Sequence, residues 1–172
     1  MQSLRGVLKM RASVTDNKDL MAQLIKGAFL TVSVDDEVNT MTIGWATIGH
    51  MWRLDVFMVA VRDSRHTFSL IEKSDNFTVS VPADDSCKKA LAFCGTKSGR
   101  EYDKFSECNL KTLPGRHVSS PVIDIPGTHF ECRIVYKSPM EKSLLDASLM
   151  KLYPDGDFHT LYFGEILESY YI

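Results

Sequence analysis

No apolar run in this sequence is long enough to cross a membrane as a helix. The longest, residues 56–61, is six residues, against the roughly 20 that a bilayer core requires. Nor is there a tract of consecutive basic residues: 20 Lys and Arg are scattered among 22 Asp and Glu, for a net charge of −2, which excludes a surface built to track a nucleic-acid backbone. The four cysteines, Cys87, Cys94, Cys108 and Cys132, form no Cys-x-x-Cys pair and have no spaced histidine partners, so a zinc site is not expected. Each reads first as a small buried hydrophobe, with Cys94 the one placed for a redox role. The opening Met-Gln-Ser-Leu-Arg-Gly-Val-Leu-Lys-Met lacks the apolar centre of a signal peptide, and the expectation is a cytoplasmic protein. Repeats, low-complexity tracts and linker-like shifts are missing as well, as are Ser-His-Asp, Cys-His and paired-carboxylate patterns of the kind that carry nucleophilic or acid-base chemistry.

What the sequence has is enough apolar material for a core. With 172 residues and 44% hydrophobic content, a single domain over residues 1–172 is expected, with 1–20 as a loose polar arm. Residues 26–34 are rich in β-formers, and residues 39–48 resume extended structure after an acidic turn, so a hairpin fits both. Residues 56–61 are apolar at every position, which calls for cover on both faces by a helix or a second subunit. A short amphipathic helix is expected over 66–74, with Phe68 and Ile71 on one face and Leu70 flanking it. Residues 76–81 alternate as a half-buried strand ended by Pro82.

Residues 86–93 read as a helix capped by Asp85 or Ser86, carrying Leu91 and Phe93 inward and ended by Gly95. The prolines and glycines of 109–128 make a long irregular connection of the sort that serves as a lid or partner contact. Residues 128–137 return to strand, with Glu131 and Arg133 opposite Phe130, Cys132, Ile134 and Tyr136. Residues 143–153 fit helix or strand, 154–157 a turn, and 159–168 the last strand. The pattern is that of a mainly antiparallel barrel decorated by a few short helices.

Residues 39–67 combine two chemistries. The first part offers small hydroxyl and amide side chains, backbone freed at Gly44 and Gly49, and Trp45, a set suited to a flat heteroaromatic ligand. The last part places Arg62, Ser64, Arg65 and Thr67 where an apolar strand meets a helix. Unpaired backbone N–H groups, two guanidiniums and two hydroxyls together describe an anion site. The loop 96–100, Thr-Lys-Ser-Gly-Arg, adds further N–H groups and two cations, and reads either as an ordinary solvated connection between helices or as a cover for the phosphate or ribityl end of a nucleotide.

The runs Asn39-Thr40-Met41-Thr42-Ile43-Gly44-Trp45, Val61-Arg62-Asp63-Ser64-Arg65-His66-Thr67 and Asn76-Phe77-Thr78-Val79-Ser80-Val81-Pro82 resemble the flavoredoxin branch of the flavin reductase-like proteins. So do Cys94-Gly95-Thr96-Lys97-Ser98-Gly99-Arg100 with Asp103-Lys104-Phe105, and His159-Thr160-Leu161-Tyr162-Phe163-Gly164-Glu165-Ile166. Each alone is a weak signal; in this order, over residues 27–166, they are specific. The departure is Asp63, where the family often has proline, an acid beside the phosphate motif that must point away or cap the helix.

The resemblance implies an antiparallel split β-barrel that binds FMN and forms a homodimer. It implies cofactor contacts from Asn39, Thr40, Met41, Thr42, Trp45, Ala46, Thr47, Arg62, Ser64, Arg65, Thr67, Lys97, Ser98, Gly99, Arg100 and Lys104, and a role for His159 on the nicotinamide side. The expected function is an FMN oxidoreductase taking a hydride from NADH or NADPH. Two alternatives stand beside it: an FMN electron-transfer protein served by a protein donor, and a barrel that binds a small molecule other than flavin.

Overall fold

The computed structural model describes residues 18–172. The expected arm 1–20 therefore lies outside the described residues except at its end, where residues 18–20 already belong to helix α1, Lys18–Lys26. Leu20 and Leu24 recur at the i, i+4 spacing of one helical face, and both are buried. Gly27 ends the helix at φ +127, its N–H shared between the carbonyls of Gln23 and Leu24.

The chain then folds into one antiparallel sheet. Its strands are β1 Ala28–Val34, β2 Glu37–Ile43, β3 Ala46–Met51, β4 Leu54–Arg62, β5 Asn76–Pro82, β8 Gly127–Pro139 and β9 His159–Tyr171, in the spatial order β2-β1-β5-β8-β9-β4-β3. A two-strand pair, β6 Thr112–Leu113 with β7 Val122–Ile123, stands apart. Short helices α2 His66–Ile71, α3 Lys88–Thr96 and α4 Lys104–Glu107 complete the fold, with 3-10 turns at Asp85–Cys87, Lys142–Leu144 and Ala147–Leu152. The two edge strands of the sheet, β2 and β3, are consecutive in the chain and separated by Gly44 and Trp45 alone. That link obliges the sheet to curl until its edges approach without pairing, which makes the barrel a split one.

The interior is filled by Leu30, Val32, Phe57, Val59, Phe77, Val79, Phe130, Tyr162 and Ile166, with Phe57 edge-on to Phe130 at 5.0 Å. A smaller cluster of Phe29, Leu91, Cys94, Ile123 and Ile125 lies under α3 and the loop before β8. β4 carries the all-apolar run and sits between β9 and β3. Val56, Phe57, Val59, Ala60 and Val61 are buried within this one chain, so their cover needs no second subunit.

Several expectations are corrected. α2 buries Thr67, Leu70 and Ile71 rather than a Phe68–Ile71 stripe, because Leu70 and Ile71 both reach the barrel core and Phe68 only flanks it. α3 begins after a 3-10 turn capped by Asp84, whose carboxylate accepts the Ser86 N–H at 2.8 Å. It runs through Gly95 to Thr96 and buries Cys94 with Leu91 in place of Phe93.

β5 is buried on both faces. The segment 109–126 lies across its outer side as a fastened strap: Thr78 Oγ1 donates to Pro121 O at 2.6 Å, and the Ile123 N–H donates to Ser80 Oγ at 3.1 Å. The Ser33 N–H donates to Ser120 Oγ at 3.0 Å, and the Ser120 N–H to Asn76 Oδ1 at 3.0 Å. The same strap buries Glu131, expected on an open face. Its carboxylate accepts the Arg116 and His117 N–H groups at 2.9 and 2.6 Å and the Tyr170 hydroxyl at 2.8 Å.

Candidate functional site

Two adjoining hollows open at the split of the barrel, with Met41 and Arg65 lining both. The polar one, of about 280 Å³, is lined by Ser64, Arg65, His66 and Thr67 at the start of α2, by Cys94, by Lys97, Ser98, Gly99 and Arg100 after α3, and by Lys104. The flatter one, of about 170 Å³, is lined by Thr42, Ile43, Gly44, Trp45, Ala60, Arg62 and His159. The β2–β3 link supplies the floor of the second, and the strand-to-helix passage 62–67 joins the two.

Arg65 is the focus of the electrostatics. Its guanidinium is half-buried and has no hydrogen-bond or ion-pair partner among the described residues. Lys104 is buried behind it, donating to the carbonyls of Thr40 and Cys94 at 2.9 and 3.0 Å; two of the three ammonium donors are thus taken and one is left over. Burial, with Arg65 adding to it, lowers the Lys104 pKa. Lys97 lies over the Tyr102 ring at 5.4 Å, and Arg100 donates to Ser64 O at 3.2 Å. A Cβ on Gly99 would collide with the Asn39 and His66 side chains, so any larger residue here must displace them for the loop to close on β2.

Not every residue of the basic motif faces the polar hollow. Arg62 turns to the loop 152–158, donating to Asp157 O at 2.6 Å and to Leu152 O at 3.2 Å. Asp157 also accepts the Ser64 N–H at 3.3 Å and the Ser64 hydroxyl at 2.7 Å. Asp63 points away from the hollow and accepts the Thr160 hydroxyl at 3.0 Å. Thr67 is buried, and its hydroxyl accepts from the Asn39 amide at 2.8 Å.

Thr40 lies on the face of β2 opposite Asn39 and Met41, as alternation along the strand requires, with its hydroxyl bonded to Thr31 and Leu30 and facing neither hollow. Only its carbonyl serves the site, by holding Lys104. Asn39 lines a neighbouring outer depression. Ala46 and Thr47 lie on β3 outside both hollows, Ala46 packed on the core and Thr47 exposed.

The flat hollow has an aromatic wall. Trp45 is 44% exposed, so it is not a core residue; it lies 4.8 Å from the His159 ring and 6.2 Å from that of Tyr153. Burial first, then Arg62, holds the His159 pKa down to about 4, so the imidazole is neutral at physiological pH. Cys94 borders the polar hollow, but burial first and then Cys108 push its thiol up to about 12. It is a protonated thiol there, with little nucleophilic or redox reactivity. The strap 109–126 lines neither hollow among the described residues.

Sequence reasoning missed Tyr153, Asp157 and His66. The first two are brought in by a turn whose fold the local pattern did not decide. His66 stands at the rim of the polar hollow, where its Nε2 lies 2.8 Å from Glu37 Oε1 and its buried Nδ1 has no partner among the described residues.

A curled, unclosed antiparallel sheet with a cationic and an aromatic hollow at its split defines a split-barrel protein suited to a flat anionic ligand. The chain belongs to the family of the Flavin reductase like domain, which it matches over residues 21–171. An uncharacterized protein of Archaeoglobus fulgidus is 31% identical over 139 residues, covering 81% of this chain and 68% of that protein. Among solved structures, the flavoredoxin of Desulfovibrio vulgaris aligns with a TM-score of 0.67 at 22% identity, covering 85% of this chain and 69% of that one. A Streptomyces globisporus NADH:FAD oxidoreductase aligns at 0.64 and 20% identity, covering 85% and 74%. At these identities the structural likeness carries the fold.

Proposed function

We propose that the protein is an FMN-binding oxidoreductase that accepts reducing equivalents from NADH or NADPH. The observation that carries the reading is Arg65: a half-buried guanidinium without a partner among the described residues, standing between a hollow rich in donors and one with an aromatic wall. Its donors are free and still open to the hollow, and a phosphate ester would take them in charge-assisted hydrogen bonds. The donor set fits FMN. Arg65, the remaining Lys104 proton, Ser98, Lys97 and Arg100 would hold the phosphate and ribityl end, and Met41, Thr42, Trp45 and Ala60 would flank the ring. Bound FMN would supply the hydride and single-electron chemistry that the side chains lack. Arg62 and Ser64 are taken up in holding the loop 152–158, and neutral His159 orients an amide or carbonyl group better than it pairs with a phosphate.

The strap 109–126 favours a second reading. It is fastened away from the hollows and leaves the flat one without a lid from this segment, as suits an electron carrier whose flavin edge meets a protein partner. Anaerobic mixing of the FMN-loaded protein with NADH or NADPH separates the two. Bleaching of the flavin absorbance by a nicotinamide, slowed in His159→Ala with FMN affinity intact, is the expected result. Reduction by dithionite or an iron-sulfur protein but by neither nicotinamide would establish the carrier instead. Failure to retain or titrate FMN at all would overturn both.

A further inference from the structure

Two histidines are buried in this fold, and they are satisfied differently. His129 uses both ring nitrogens within the protein, Nδ1 against Ser80 Oγ at 3.0 Å and Nε2 against Ile125 O at 3.1 Å. His159 uses one. Its Nδ1 lies 2.9 Å from the Tyr153 hydroxyl, while its Nε2 has no partner among the described residues and is not one of the buried orphans, so it opens to the flat hollow that the residue lines.

Tyr153 is held firmly for this contact. It is 4% exposed, stacked on Phe158 at 4.8 Å, edge-on to His159 at 5.6 Å, and covered by the Arg62 guanidinium at 5.0 Å. Its hydroxyl has one proton and two neighbours that can accept it, His159 Nδ1 and, at 3.3 Å, Met140 Sδ. An imidazole lone pair is a strong acceptor and a thioether a weak one, so the proton goes to Nδ1. Arg62 is committed to the carbonyls of Leu152 and Asp157 and gives nothing to Nε2. The neutral ring must then carry its own proton on Nε2.

We propose that Tyr153 is a positioning residue that fixes His159 as the Nε2–H tautomer, so that the flat hollow presents a donor to the carbonyl or carboxamide oxygen of a planar ring ligand. This rests on the function proposed above, in which the flavin ring would take the flat hollow and the planar ring ligand is a nicotinamide that would stack on it within reach of His159 Nε2. The opposite proton arrangement would make Nε2 an acceptor and select a donor group instead. Tyr153 therefore decides the polarity of the contact without touching the ligand.

The test is nitrogen NMR of the full chain, loaded with FMN and labelled in its histidine rings, at neutral pH. The expected wild-type pattern has the His159 proton on Nε2 and an unprotonated Nδ1. Met140→Leu, a volume-conserving change, should leave that pattern in place, whereas Tyr153→Phe should let the two tautomers exchange. Nicotinamide should shift the Nε2–H signal, and pyridine, the same ring without the carboxamide, should not. A proton on Nδ1 in the wild type, a proton that moves in Met140→Leu, or a pattern unchanged in Tyr153→Phe would overturn the positioning role. No shift with nicotinamide, or an equal one with pyridine, would overturn the ligand class. Flavin absorbance, followed separately, reports on the cofactor reading and not on the tautomer.

Discussion

Arg65 and Arg62 are three residues apart in one motif, yet they do different things, and the difference lies in what each guanidinium already holds. Arg62 has two carbonyl acceptors; Arg65 has none among the described residues, so it keeps its full capacity for an incoming anion. Replacing Arg65 with alanine should weaken FMN by about ten- to a hundredfold, the cost of one charge-assisted contact at roughly 1.5–3 kcal/mol. Riboflavin, which has no phosphate, should bind almost as before. Titration by flavin fluorescence measures both, and an unchanged FMN affinity would place the phosphate elsewhere. The basic and hydroxyl character of 62–67 was legible in the sequence. Which of those donors remain free was not, because the partner that takes both Ser64 donors is Asp157, 93 positions away. Asp63, beside the motif in sequence, is removed from it by a contact of the same range, to Thr160.

At the scale of elements, alternation identified β5 and β8 but misjudged their outer faces. Thr78, Ser80 and Glu131 look solvated in a strand pattern because polar side chains normally meet water there; here they meet the backbone of the strap 109–126, whose composition announced only an irregular segment. Glu131 is its chief fastening. Burial alone would raise the carboxyl pKa, but the N–H groups of Arg116 and His117 and the Tyr170 hydroxyl more than offset that and hold it below the usual value of 4.5. A carboxylate lowered on folding adds stability that is complete above its unfolded pKa and is lost as pH falls through the folded one. The strap should therefore loosen only in acid, below pH 4.5. Glu131→Gln should destabilise the protein by about 1–3 kcal/mol at neutral pH, since an amide cannot accept all three donors as well. Urea denaturation at neutral and acid pH should show that deficit shrinking as the wild-type carboxylate is protonated. No deficit at neutral pH would mean that the strap is held by its other contacts.

At the scale of the whole molecule, the sequence made a second subunit one of two ways to cover the apolar run 56–61, a helix being the other. The structure removes that reason, since β4 is covered by its own chain. It supplies another. β3 is an edge strand; its last residue Met51 and the turn residue Trp52 are 46% and 52% exposed, and Tyr136 of β8, which packs against Trp52, is 50% exposed. Trp52, Tyr136 and Phe163 form one cluster with ring centroids 5.6–5.9 Å apart. The β3–β4 turn that presents Trp52 has both Trp52 and Arg53 at positive φ, 54° and 62°, a conformation that non-glycine residues adopt at a cost. An exposed aromatic cluster on the sheet face beside the β3–β4 turn, next to an edge strand, is a surface that a partner chain can cover, and an identical chain brings the same cluster. Sedimentation of the FMN-loaded protein at micromolar concentration should accordingly give about twice the 19.4 kDa chain mass. Trp52→Glu should shift it toward a single chain while leaving FMN affinity unchanged, because Trp52 lines neither hollow. A wild-type protein that sediments as one chain with its flavin bound would refute the homodimer and leave the aromatic cluster free for a different partner.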